Sequence, residues 1–281
     1  MAYHRIYRYT SIARPFEPKS ATTRAMLVLL PSAALLGAVA SWLAAQPALQ
    51  ILQQGVLFLL IAYGSWALAR ELYPDDPFAA FISLAFGLLA ALATDSPGIL
   101  IVFTTIALVR AVNRSSGLES RTTDSVLTLL LVLLVMYATD SAFFGLVAAL
   151  AFILDGSLRE PSRQQWVFGL ICVAATIVYV VDHDIGLKSL AAPDTLFKWL
   201  SVLFLLIFAL NTALLKTVRA TGDAYGKALD PARVRGGMLV GLFAALQGII
   251  RPDSVVIIVA VIAGICTGMA VRKGFKAPVT G

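Results

Sequence analysis

Charge is scarce in this sequence. Only 14% of its 281 residues are Asp, Glu, Lys or Arg, while 59% are hydrophobic. A soluble domain averages about 25% charged residues, so the shortfall excludes an ordinary water-facing surface. Most of the surface must meet lipid. Cysteine is nearly missing. Cys172 and Cys266 both fall inside apolar runs, which excludes a disulfide framework and any cysteine-spaced metal site. There is no Ser-His-Asp order, no H-E-x-x-H, no paired histidines and no G-x-x-x-x-G-K-[ST] phosphate loop. No ionisable residue stands near the middle of an apolar run, which disfavours proton- or ion-coupled transport, because such carriers need charges within the membrane.

What is present is a series of apolar runs. They lie at about 25–46, 51–69, 77–93, 97–112, 125–138, 141–155, 164–181, 195–215, 236–250 and 254–271. The pattern predicts an all-α polytopic membrane protein of about ten transmembrane helices. Residues 1–24 form a basic arm, 25–271 a single transmembrane domain and 272–281 a tail. The first polar stretch is long for the leader of a secretory signal peptide and is read as a retained cytoplasmic arm lying near anionic headgroups.

An even span count puts both termini on one side. With that side inside, only Lys188, Lys198 and Arg251 of the 22 Lys and Arg fall outside. The excess of inner cations predicts an N-in/C-in protein of the inner (cytoplasmic) membrane. The formal net charge of +6 is therefore spent on topology and implies no nucleic acid partner. Several runs are short. The stretch 125–138 would span roughly 21 Å as a helix, against a hydrocarbon core of about 30 Å.

Residues 70–113 and 118–156 read as one helical hairpin written twice. Each copy has a polar lead-in (Glu71 to Asp76, Glu119 to Asp124), an apolar run, the letters Ala-Thr-Asp-Ser at 93–96 and 138–141, and a second apolar run. In the loop 216–237, Asp230-Pro231 reads as an N-cap followed by proline at the first helical position, predicting a short basic helix into the ninth span.

Asp recurs at the heads of apolar runs, at Asp76, Asp95, Asp124, Asp140, Asp194 and Asp253. One role is capping, since the carboxylate accepts from free N–H groups and faces the positive end of the helix dipole. A second role follows from side. Asp95, Asp140, Asp194 and Asp253 all fall on the outer face, near Asp182, His183 and Asp184. Gathered over one cavity, they could bind a divalent cation or act as a general base. Arg251, the outer arginine at a helix start, could hold a phosphate. Thr104 and Thr105 are expected to bond back to their own helix.

Leu68-Ala69-Arg70-Glu71-Leu72, the Ala-rich run after it, Ala-Thr-Asp-Ser-Pro at 93–97 and Leu108-Val109-Arg110-Ala111 together resemble the third and fourth spans of the GT-C membrane glycosyltransferases. Arg251-Pro252-Asp253-Ser254 is similar to an Arg-Pro-acid-Gly helix start in that superfamily. The resemblance covers about 60 residues and one later motif. It implies a GT-C-like core that transfers sugar from a polyprenyl phosphate carrier on the outer face. By this resemblance Asp95 would support the reaction or a metal, while the outer-face reading adds Asp140 and Asp253 as catalytic carboxylates and Arg251 on the lipid phosphate. The slot after the fifth span, where relatives often carry Lys or Arg with Pro, here reads Thr139-Asp140-Ser141. The family's first outer loop carries a carboxylate, whereas residues 44–50 here hold none. Two other classes stay open: an accessory subunit of a larger membrane complex, whose partners are other membrane subunits and lipid, and an uncoupled carrier of lipid or small solute built from tandem hairpins.

Overall fold

The computed structural model describes residues 5–14, 20–94, 98–183, 195–224, 226–250 and 252–276. Side chains at 248–250, 252–255 and 273–276 are outside that description. After a short 3-10 turn at Arg5–Arg8, ten α-helices follow. They are α1 Ala21–Leu43, α2 Ala48–Leu72, α3 Pro77–Leu92, α4 Ile99–Asn113, α5 Thr122–Ala138, α6 Ala142–Ser157, α7 Gln165–Asp182, α8 Leu196–Leu214, α9 Pro231–Ile250 and α10 Pro252–Lys276. Each of the ten apolar runs has become one helix. No strand forms among the described residues, apart from one isolated antiparallel bridge between Thr221 and Ala228.

By length and composition, α1, α2, α7 and α8 are each long and apolar enough to cross a membrane. The helices α3 to α6 have 15 to 17 residues, or about 22–26 Å at 1.5 Å per residue. The apolar helices indicate a membrane-embedded protein. Leucines and valines stand out from the bundle along α1, α7 and α8, including Leu35, Val178 and Leu206. In water such faces would be a liability, whereas lipid covers them at no cost.

The core is built around α2, α4, α9 and α10. Helix α2 packs on α1, α3, α4, α9 and α10, and α9 packs on α4, α6, α8 and α10. The group α5 to α7 rests on α4 and, through α6, on α9, and makes no sizeable contact with α3 or α10. The two sequence repeats therefore share helix positions but not packing. Helices α5 and α6 touch as a hairpin, whereas α3 and α4 are divided by α2 and α10.

Between membrane helices the hydrophobic effect gives little drive, so association relies on close approach of small residues. That device joins α3 to α10. Gly264 and Gly268 of α10 face Ala79 and Ser83 of α3, and a Cβ on Gly264 would lie 2.4 Å from the Ser83 Cα. A Cβ on Gly268 would lie 2.7 Å from the Ala79 Cα. The Ser83 hydroxyl donates across this seam to the Val261 carbonyl at 3.0 Å. The register is antiparallel, and Gly87 continues it toward Ile257.

Helix ends gather in two sets. One end, rich in arginine, holds the 5–14 arm, the starts of α1, α3, α5, α7 and α9 and the ends of α2, α4, α6, α8 and α10. Bonds from Asp75 to the Arg219 and Ala220 N–H groups and between Asp76 and Arg272 close it. Within the described part of the arm, Arg5, Arg8 and Tyr9 are exposed. Tyr7 and Ser11 are buried, and Arg121 donates to the Tyr7 and Arg8 carbonyls. No separate basic helix precedes α9. Asp230 caps the Ala232 N–H at 2.7 Å, and α9 starts directly at Pro231.

Gly264→Leu should force α3 and α10 apart and cost about 1–3 kcal/mol by overpacking. Leu210→Ala, on the exposed face of α8, should change stability by less than about 0.5 kcal/mol. Unfolding in detergent followed by tryptophan fluorescence compares the two. Equal effects would refute the tight-seam account.

Candidate functional site

Two carboxylates are buried at the arginine-rich end, each between two guanidinium groups. Glu71, in the last turn of α2, is 1% exposed and meets Arg110 Nε at 2.9 Å and Arg14 Nη1 at 3.3 Å. Asp155, near the end of α6, is fully buried and meets Arg233 Nη1 at 2.8 Å and Arg114 Nε at 3.1 Å. Charge is thus missing from the middle of the helices but not from the interior. It is admitted at helix ends, where each acid brings its own cations.

The last turn of α4 joins both centres. Arg110 serves Glu71, Asn113 donates to the Glu71 carbonyl at 2.7 Å, and Arg114 serves Asp155. Arg233 ties the start of α9 to three segments, donating to the carbonyls of Val112, Arg159 and Glu160 as well as to Asp155. The arm enters through Arg14, which also pairs with Asp223 of the 215–230 loop. Burial works against the Arg14 charge, but Glu71 and Asp223 more than offset it and hold its pKa above the ordinary arginine value. Asp124, expected as a cap, lies inside the first turn of α5 and accepts from both the N–H and the hydroxyl of Ser11, each at 2.6 Å.

At the opposite end a hollow has no charged residue in its lining among the described residues. A cavity of about 510 Å³ opens between the ends of α1 and α3 and the start of α2. Its polar lining comes from Ser41, Gln46, Gln50, Gln53, Gln54 and Thr94. Gln50, Gln53 and Gln54 share one helical face by their three- and four-residue spacing. They fill the turn where the sequence has no acid.

The sequence-nominated residues fare unequally. Asp95 and Arg251 lie outside the described residues. Asp253 is the second residue of α10, and its side chain is outside the description. Asp140 belongs to the α5–α7 group. It adopts φ 47° and accepts from the Tyr179 hydroxyl at 3.1 Å. Tyr179 in turn stacks on His183 at 4.0 Å between ring centres.

Of the expected caps, Asp76 holds the Phe78 N–H at 3.1 Å, while α8 is capped by Thr195. Asp194 and Asp184 lie outside the described residues. Thr104 and Thr105 bond back to Leu100 and Ile101, both at 2.8 Å. Among the described residues no three His, Cys, Asp or Glu come together as a metal site.

Sequence reasoning missed the buried acids and the glutamine hollow. A trace of the first was visible: with the two copies aligned on Ala-Thr-Asp-Ser, Arg110 and Asp155 fall in the same column with opposite charge. No protein-family model, curated protein or solved structure matches this chain.

Glu71→Gln removes the buried acid from the part-buried Arg14 and Arg110, and Asp155→Asn removes it from the buried Arg114 and Arg233; each should cost about 3–5 kcal/mol. Asp140→Asn, at an exposed position where an amide oxygen can still accept from the Tyr179 hydroxyl, should cost about 1 kcal/mol. Denaturation in mixed micelles, followed by circular dichroism, ranks the three. An Asp155→Asn variant as stable as Asp140→Asn would contradict this assignment.

Proposed function

We propose that the chain is a ten-span protein of the inner (cytoplasmic) membrane, with both termini inside, that holds a polyprenyl-phosphate sugar at its outer face on a GT-C-like scaffold. The observation that carries the reading is the neutral, glutamine-lined hollow. Amide side chains offer both donors and acceptors without charge, which suits a ligand rich in hydroxyl groups. Thr94, on its rim, is bonded in sequence to Asp95. The ligand's phosphate would fall to Arg251, its sugar to Gln46, Gln50, Gln53 and Gln54.

Glutamine neither takes nor gives a proton near neutral pH, so the hollow itself binds. Any proton transfer or divalent cation rests on Asp95 and Asp253. Asp140, engaged with Tyr179, has no part in this site. The reading thus favours a lipid-phosphate-binding relative of the glycosyltransferases over one with a full catalytic set.

A second reading is an accessory subunit of a larger membrane complex. It draws on α8, which packs only on α9 and α10 and leaves Leu203, Leu206 and Leu210 exposed. Partners in that case are other membrane subunits.

Native mass spectrometry of the purified protein, supplied with a polyprenyl-phosphate sugar, should show a retained adduct. Gln50→Leu with Gln53→Leu should weaken it roughly tenfold, the worth of one or two hydrogen bonds. Absence of any isoprenoid adduct removes this reading, and a co-purifying membrane subunit in its place favours the second. Orientation is tested by labelling in intact cells. Gln46→Cys should react with an impermeant maleimide from outside, and Arg163→Cys only after the membrane is opened. The reverse pattern would invert the topology.

A further inference from the structure

Beside the Asp155 centre, a cavity of about 390 Å³ opens at the arginine-rich end, between the ends of α4 and α6, the 215–230 loop and the start of α9. That volume lies in the range of small-molecule sites. Its charged lining is Arg114, Arg159, Lys227 and Arg233, against Glu160 and Asp230. Positive charge is in excess there even with Asp155 counted behind the wall.

The four cations are not equivalent. Arg233 is buried and fully occupied with carbonyls and Asp155. Arg114 is also buried, 8% exposed, but binds Asp155 only through Nε, and its Nη2 has no hydrogen-bond partner. A buried guanidinium nitrogen without an acceptor is costly. Arg159 is 80% exposed and sits 3.7 Å from Asp230, beyond hydrogen-bond range. Lys227 is 71% exposed and reaches Glu160 at 3.2 Å. Both exposed cations can therefore swing from their present acids to an incoming anion.

The backbone adds an independent sign. Arg114 has φ 49° and Glu160 φ 57°. Both line the cavity, and both occupy the left-handed region, where a non-glycine residue costs of order 1–2 kcal/mol. Arg114 ends α4 at the position where glycine or asparagine is preferred. A long cation held in that conformation points to a use for its head group.

We propose that this cavity is a phosphate-recognition site, distinct from the glutamine hollow, in which Arg114 is the buried anchor and Arg159 and Lys227 close from the rim. A phosphate oxygen would satisfy Arg114 Nη2, and the two mobile cations would neutralise the remaining charge. Glu160 is the opposing charge. It holds Lys227 in the empty site and must release it on binding. The same chemistry fits a phosphomonoester lipid headgroup or a free phosphate.

The test uses the full-length protein and two kinds of probe: inorganic phosphate and pyrophosphate in detergent, and phosphatidic acid in phosphatidylcholine nanodiscs. Binding is read by calorimetry in the first and by native mass spectrometry in the second. Arg159→Gln should weaken binding several-fold, and Arg114→Gln roughly tenfold, as for one charge-assisted bond. Glu160→Gln should tighten binding several-fold, an effect that mere loss of structure would not produce. Arg114 also supports Asp155, so the exposed Arg159 and Glu160 variants keep the test meaningful if Arg114→Gln fails to fold. Binding of the soluble anions assigns the site to free phosphate, and binding of phosphatidic acid alone assigns it to a headgroup. No saturable binding of any probe, or binding indifferent to Arg159→Gln and Glu160→Gln, overturns the proposal.

Discussion

A carboxylate taken out of water costs several kcal/mol unless cations and hydrogen bonds go with it, and at one end of this bundle two buried carboxylates each sit between a pair of guanidinium groups. Glu71 is matched by Arg14 and Arg110, Asp155 by Arg114 and Arg233. Because Arg110, Asn113 and Arg114 all come from the last turn of α4, one helix end fixes the relative heights of α2, α6 and α9. A slip of any one by a turn would leave a buried charge unpaired. That constraint suits a membrane protein, where leucine against leucine resembles leucine against lipid and specifies little.

The same network accounts for the segments outside the helices. Residues 5–14 and the 215–230 loop bury only a few apolar side chains, Tyr7 and Leu229 among them. They are held by bonds into the helix ends: Ser11 by Asp124, Arg14 by Glu71 and Asp223, and the N–H groups of Arg219 and Ala220 by Asp75. The cavity beside Arg114 lies where these segments fail to close completely. The guanidinium nitrogen Arg114 Nη2 is left without a hydrogen-bond partner there, as are single oxygens of Glu71, Asp155 and Asp223.

The far end follows another rule. Among the described residues the lining of the hollow is amide and hydroxyl in its polar part. Small residues seat α10 on α3 nearer the arginine-rich end, with Gly268 against Ala79 and Gly264 against Ser83, close to the Asp76–Arg272 pair. Asp140 is carried by α5 and α6, which pack on α4 and α9 and not on this seam.

The ten helices were legible in the sequence because burial in lipid or protein demands unbroken apolar runs, and such runs have few other stable forms. Capping was legible at Asp76 and Asp230, where the cap and its N–H groups are neighbours in the chain. The internal repeat was legible as letters, but it misled as packing: Ala-Thr-Asp-Ser fixes where a helix turns, not which helix it turns toward. Partners of Glu71 and Asp155 come from residues 39 to 78 positions away in the case of the helices, and from the arm in the case of Arg14. Nothing local distinguishes Glu71 from the exposed Glu119 that shares its place in the repeat. The sequence by itself determined how many helices form and where they start and stop, because those depend on nearest neighbours and solvent. Only the tertiary structure decided which charges are buried and which polar ends meet, because pairing energy depends on distance in space and desolvation, and neither is written along the chain.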